Sequence, residues 1–359
     1  MAVDESVENL PFEEAIDFFR EKVNVPTERW LDVQGAAHSH AFSVAGAASD
    51  ALVADFRAEI DKALAEGTTL DEFRAAFDDI VARHGWEHTG DRDWRARVIY
   101  ETNMRTAYAA GRYAQLTLPE TLAVWPYWQY NHSGAVHPRR DHLSWDGLTI
   151  RADDPFWDVA YPPNGFGCGC FVIPADDADL DRQGKSRPDH APDLDQPAGG
   201  TRGVDQSFDY NPGRAWLSGG RPGESLATGS MMDAFERAAV DGSISARASL
   251  PIADPGDTLR GALGLEPGAF ARVSAQTIRD HLALRDHGVG FYARAAVSAL
   301  DAGIRRSPRG LLSAIVTIGG KPHMVGFKRT RNAEFLVTTV HRARPKQVSK
   351  VLGWPLVRE

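Results

Sequence analysis

Apolar residues recur at helical spacing near the start of the chain: Phe12, Ala15, Ile16, Phe19 and Val23 form a stripe that Pro26 stops. Trp30 and Leu31 open a second segment, and Phe42 to Leu64 reads as a long Ala-rich amphipathic helix ending at Gly67. Thr68 or Thr69 caps the next helix, striped by Leu70, Phe73, Phe77, Ile80 and Val81 and closed by Gly85. Trp94 to Leu116 predicts one more long helix, with Val98, Thr102, Arg105 and Ala109 near one face. At Trp125 the period changes. WPYWQYN is strand-like, and the residues after it are dense in His, Pro, Gly and Trp. From Pro174 to about Ser230 the chain is rich in Asp, Pro, Gly, Arg and Ser. That composition buries too little apolar surface to offset chain entropy, so 186–248 reads as a linker. Phe208, Tyr210 and Trp216 are exceptions that docking would order.

The C-terminal pattern predicts a separate module. Ser274 caps a helix through Ile278, Leu282 and His287, and Phe291 to Leu300 forms a second. LLSAIVTI, HMVGFK and EFLVTTVHR then read as three strands separated by turn residues. Strict alternation in the last puts Phe335, Val337, Thr339 and His341 on one face, and Leu336, Thr338, Val340 and Arg342 on the other. The expected fold class is therefore multidomain α+β. It has a helical region at 1–90, a compact His/Cys/aromatic-rich α+β core at 91–185, the linker, and a domain of two helices plus antiparallel sheet at 249–359.

Composition narrows the classes. At 359 residues, 43% hydrophobic and 25% charged, the chain is neither collagen-like nor coiled coil nor wholly disordered. No run of about 18 apolar residues suggests a membrane anchor, and the acidic start lacks the apolar core of a secretory signal. The net charge of −9 is unevenly placed. Residues 249–359 carry 17 Lys+Arg against 8 Asp+Glu, and the remaining 248 carry 23 against 41. A basic module on an acidic body points to a polyanionic partner for one half only.

The two cysteines stand in one tripeptide, Cys168-Gly169-Cys170, so they form a local site rather than a disulfide framework, in a reducing compartment. Two thiolates and the imidazole of His142 make three parts of a tetrahedral zinc shell, with His137 or His132 as the fourth. Such a zinc would be structural. The same residues also fit a second reading, a pair of buried reduced cysteines beside a hydrogen-bonded histidine, held by Trp125, Trp128, Trp145, Phe156 and Trp157. Glu101, Asn103 and Arg105 read as one polar face of a long helix rather than as catalytic groups.

ETNMRTAYAAGRYAQ, VHPRRDHLSWDG and DDPFWDVAYPPNGFGCGC, together with FEEAIDFF, HSHAF and the Gly85-Trp86 helix end, resemble the phage Mu F-like family of head morphogenesis proteins over residues 10–185. Gly169 departs from that pattern, which carries an arginine between the cysteines. Arg139 stands where related minor head proteins place a further cysteine. The resemblance implies a minor head protein of a tailed phage or prophage, assembled in the host cytoplasm, resident in the virion, and partnered by portal and other head proteins.

Ser274–His287, HMVGFKR and Glu334–Lys346 resemble the barnase–EndoU–colicin–RelE type of nuclease module over residues 249–355. Metal-independent RNA cleavage needs a base near neutral pKa, an acid for the leaving oxygen, and cations for the phosphorane charge. The module has His281, His287, His323 and His341, many cations and few acids after Asp301. His281 and His341 are the acid–base candidates, and Arg285, one helical turn from His281, holds the phosphate. Lys328 and Arg342 add charge and Thr339 a hydrogen bond, while Arg329, Arg331, Arg344 and Lys346 contact the nucleic acid. RNA is then the substrate, no cofactor is needed for catalysis, and an immunity protein is an expected partner of a toxic module. Two other readings stay open: a head protein whose module only binds nucleic acid or a partner, and a cytosolic RNase or metalloprotein unrelated to virions.

Overall fold

Ser49, not Phe42, starts the second helix. Its hydroxyl accepts from the Leu52 amide at 3.4 Å, and α2 (Asp50–Glu66) follows α1 (Glu13–Arg20) and the short strands β1 (Val23–Asn24) and β2 (Ala41–Phe42). The apolar residues from Phe42 to Ala47 belong to extended and turn structure instead. Phe42, Val44 and Ala47 are buried all the same, which is why they mimic a helical stripe. Thr69 and Glu72 form a reciprocal capping box at the start of α3 (Leu70–His84), and Asp91 caps α4 (Arg92–Leu116).

The computed structural model describes residues 11–196, 200–218, 229–265, 269–285, 287–330 and 334–357. They divide into a first unit, 1–20 with 24–216, and a second, 21–23 with 217–359. In the first, α1 to α4 bury Phe18, Phe19, Phe56, Phe73 and Phe77 completely. Each such side chain contributes about 1.5–3 kcal/mol relative to leaving it in water. Gly111 lets α1 lie against α4, because a Cβ there would stand 2.7 Å from the Ala15 backbone nitrogen.

Behind α4 and the short helix α5 (Pro119–Val124) lies the aromatic core. β3 (Tyr127–Asn131) is the central strand of a three-stranded antiparallel sheet, between β4 (Thr149–Arg151) and β5 (Phe171–Ala175). α6 (Arg140–Ser144), α7 (Phe156–Ala160) and α8 (Asp177–Arg182) fill the connections. Trp128, Tyr130, Trp145, Phe156, Trp157 and Tyr161 pack around Cys168 and Cys170.

The stretch 186–248, expected as a linker, is shared between the units. Asp205 accepts from Arg139 at 2.8 Å, and the Asn211 amide donates to the Trp157 carbonyl at 3.0 Å. Ser39 donates to the Pro212 carbonyl, and a His40 ring nitrogen to that of Ala215. Residues 200–216 thus close over the first unit and lead into α9 (Pro212–Ser218). The polar composition that reads as disorder is consumed in these hydrogen bonds. α10 (Gly229–Asp241) belongs to the second unit, where Glu236 accepts from the Val289 amide at 2.8 Å.

The second unit confirms the α+β class with a larger sheet than the pattern suggested. The strands are β6 (Ser249–Ala253), β7 (Ala271–Ser274), β8 (Arg305–Arg306), β9 (Leu312–Ile318), β10 (Lys321–Arg329) and β11 (Phe335–Arg342), in the order β6-β7-β11-β10-β9-β8. β7 and β11 run parallel, and the other neighbours antiparallel. α11 (Gly256–Leu263), α12 (Ala275–Arg285), α13 (Val289–Ala302) and α14 (Pro345–Leu352) complete it, with α13 packed on the sheet. Among the described residues no helix is long and apolar enough to cross a membrane.

Candidate functional site

The first unit gathers one group of soft ligands. α6 carries His142 toward the loop that precedes β5, where Cys168 and Cys170 are buried. The Nδ1 atom of His142 is 3.7 Å from the Cys168 sulfur and 3.6 Å from that of Cys170. The other ring nitrogen, Nε2, lies 2.6 Å from the Gly203 carbonyl. A carbonyl only accepts, so Nε2 carries the proton and Nδ1 presents its lone pair to the sulfurs. Trp145 stacks on the His142 ring and Tyr130 stands edge-on to Trp145.

The contact between the two thiols pushes Cys168 up, with burial adding to the effect. The same contact holds Cys170 down toward the thiolate. Tyr130 is raised, chiefly by burial and then by the neighbouring sulfurs. His142, Cys168 and Cys170 form a group that could hold a metal ion, their ligand atoms all within 4.8 Å of one another. His137 is exposed and outside the group, and the Nδ1 atom of His132 accepts from the Gly134 amide at 3.1 Å instead. Neither supplies the expected fourth ligand. Glu101 and Arg105 pair at 3.1 Å along α4, and Asn103 donates to the Ile99 carbonyl.

The second unit holds a cleft of about 800 Å³ lined by His287, His323, His341, Arg342, Arg344, Lys346 and Gln347. It lies where β10 begins, β11 ends and α14 starts. His287, in the turn before α13, stacks on Phe291 with centroids 3.9 Å apart, and Phe291 meets His323 edge-on. His323 Nδ1 lies 2.9 Å from the Lys321 carbonyl, so Nδ1 carries the proton and Nε2 is left as a base. Gln347 accepts from the Arg344 amide and turns its own amide toward His341 at 3.4 Å. No carboxylate lines this cleft among the described residues.

Of the residues expected to act on RNA, His341, Arg342, Arg344 and Lys346 line the cleft, and Thr339 stands beside His341. His281 does not. Its Nδ1 is hydrogen-bonded to the hydroxyl of the fully buried Tyr292 on α13. Lys328 pairs with Leu336 toward the other end of β10, about 16 Å of strand from His323 at 3.3 Å per residue. Arg329 donates to the Gly264 carbonyl at 2.8 Å. Arg331 and the side chain of Arg285 lie outside the described residues.

The expected face assignment on β11 is also corrected. Phe327 pairs with Val337 but Gly326 with Thr339, so Thr338 is an extra residue, a β-bulge. The phase shifts there, and Phe335, Val337 and Val340 are the buried set. The bulge also brings Arg342, rather than His341, opposite His323. His323, His287 and Gln347 are the lining residues that sequence pairing overlooked. The pairing of Arg329 with Phe335 gives the register as far as Val337, but nothing local reveals the bulge.

Residues 54–173 match the family of Phage Mu protein F like proteins. The chain is 34% identical over 177 residues to a putative capsid assembly protein F of Escherichia phage Mu, covering 45% of this chain and 40% of that protein. It is 35% identical over 156 residues to the Mu-like prophage FluMu F protein of Haemophilus influenzae, covering 41% and 37%. The chain thus spans about two fifths of the length of these curated relatives. No solved structure matches it.

Proposed function

We propose that this chain is a minor head protein of a tailed phage or prophage, and that its first unit carries the assembly role. The observation behind this reading is the relative named as a capsid assembly protein, matched across nearly half of the chain. Portal and other head proteins are the partners, and the virion is the destination after assembly in the host cytoplasm. Co-purification of the tagged chain with heads from an induced lysogen tests it. Recovery of the chain only in the soluble, head-free fraction would count against it.

In the same reading the second unit cleaves RNA in its histidine cleft. Three imidazoles beside Arg342, Arg344 and Lys346, without a lining carboxylate, suit a phosphodiester and offer no hard oxygen ligands for Mg²⁺. His323 takes the 2′-hydroxyl proton at Nε2, O2′ attacks phosphorus, and the P–O5′ bond breaks. The leaving 5′ oxygen takes a proton from His341, which gives a 2′,3′-cyclic phosphate and a 5′-hydroxyl. His323 therefore replaces His281 in the acid–base pair. Single-stranded RNA incubated with the full chain in EDTA should yield cyclic-phosphate ends, while the all-deoxy strand stays intact. RNA that is bound but never cut would leave a nucleic-acid-binding module.

A further inference from the structure

We propose that the first unit binds one Zn²⁺ through three protein ligands, Nδ1 of His142 and the sulfurs of Cys168 and Cys170. This inference does not depend on the assembly role or on RNA cleavage. A tetrahedral centre with Zn–S about 2.3 Å and Zn–N about 2.0 Å places sulfur and nitrogen about 3.5 Å apart. The two separations here are 3.7 and 3.6 Å. Sulfur and nitrogen donors within 4.8 Å of one another are therefore spaced for a small thiophilic cation at their centre.

Two further observations favour a metal over a simple sulfur–imidazole hydrogen bond. The first is the Gly203 carbonyl, which holds the His142 proton on Nε2 and aims the bare Nδ1 at both sulfurs. An outer carbonyl orienting a ligating histidine is the usual support of a zinc site. The second is Asn164, which is completely buried. Its carboxamide oxygen accepts from Tyr130 at 2.9 Å, yet its nitrogen has no hydrogen-bond partner among the described residues. The Asn164 backbone amide also hydrogen-bonds to Cys168. A solvent-derived fourth ligand on the metal would accept from that idle N–H. His132 and His137, the obvious protein candidates for the fourth position, lie elsewhere.

The site has a defined structural consequence. Cys168 and Cys170 precede β5, His142 sits on α6, and Gly203 belongs to the closing segment 200–216. One ion would cross-link the first two directly and the third through the imidazole. The zinc is structural in this assignment, since no side chain in the group is positioned as a general base.

Metal analysis of the full chain, purified without added metal or chelator, tests the assignment. The expected result is about one Zn²⁺ per chain, released when a mercurial titrates the thiols. His142→Ala, Cys168→Ser and Cys170→Ser should each reduce zinc by about tenfold or more. Because a variant that fails to fold would lose zinc as well, the decisive measurement uses the wild type. Apoprotein should take up one equivalent of Co²⁺ and develop a thiolate-to-cobalt charge-transfer band with tetrahedral d–d absorption. Zinc-free protein that takes up no stoichiometric Co²⁺ overturns the proposal, and stoichiometric copper in place of zinc overturns the choice of metal.

Discussion

Thr339 Oγ1 lies 3.5 Å from His341 Nδ1, on the half-exposed side of β11 that faces away from Val337 and Val340. The two would share a face in any regular strand. Which face they share is decided by Thr338, whose hydroxyl donates to the Gly326 carbonyl at 3.2 Å inside the bulge.

Because Thr338 is the extra residue, deleting it should leave a regular strand with Thr339 still opposite Gly326 and His341 opposite Met324. The expected outcome is a folded protein whose melting temperature, followed by circular dichroism, falls by only a few degrees. Deleting Val340 instead moves His341 onto the buried side and should abolish cooperative melting of the second unit. Equal damage from the two deletions would contradict the bulge.

Gly203 combines a backbone φ of +70° with a site where a Cβ would run into Trp145 and Asp141. The left-handed conformation alone costs an alanine about 1–2 kcal/mol, and the collision adds to it. Gly203→Ala should therefore destabilise the first unit by about 2 kcal/mol or more, read by denaturant unfolding with tryptophan fluorescence. Gly67→Ala also has positive φ, but its Cβ would meet nothing within 4 Å, so it should cost only the backbone part.

The contrast between 200–216 and the helical core shows what can be read from sequence. Helices α3 and α4 declare themselves locally, through the Thr69–Glu72 box, the αL glycine after each of α2 and α3, and one apolar face. The Cys-Gly-Cys tripeptide and His142 are likewise visible as soft ligands, because residue type alone carries that chemistry. The closing segment is not. Its order comes from partners far away in sequence: Asp205 with Arg139, Asn211 with Trp157, and Gly203 with His142. His287 and His323 are hidden for the same reason. Their relation runs through Phe291, on a different element from either.

Asp55 connects two helices through His84 at 2.8 Å and Arg83 at 2.7 Å. The hydrogen bond to His84, followed by that to Arg83, lowers its carboxyl pKa. A carboxyl depressed in the folded state stabilises above its unfolded value of about 3.9 and loses that contribution as pH falls through the folded value. Asp55→Asn should thus lower the melting temperature at neutral pH, and the gap to wild type should close as pH falls below the unfolded carboxyl value and through the depressed folded one. The pair is partly exposed, so the effect belongs with surface pairs, at about 0.2–1 kcal/mol. A gap that widens in acid would mean that the sign is wrong.

The cleft makes the sharpest distinction between residues that look alike in sequence. Both His281 and His341 are imidazoles in a basic module, but only His341 lines the cleft with His323 and the cations. Replacing His323 or His341 with Ala should slow RNA cleavage by about 100-fold or more if each moves a proton in the reaction. His281→Ala should instead lower the melting temperature, by removing the hydrogen bond to buried Tyr292, and leave the rate per folded molecule nearly unchanged. Arg344→Ala and Lys346→Ala should mainly weaken binding. For every phosphate no longer neutralised, the slope of log affinity against log salt should flatten by about 0.7 on a single strand. Cleavage kinetics and salt titrations on these variants and the wild type separate the roles. If His281→Ala proves as slow as His341→Ala while remaining fully folded, catalysis lies elsewhere than this cleft.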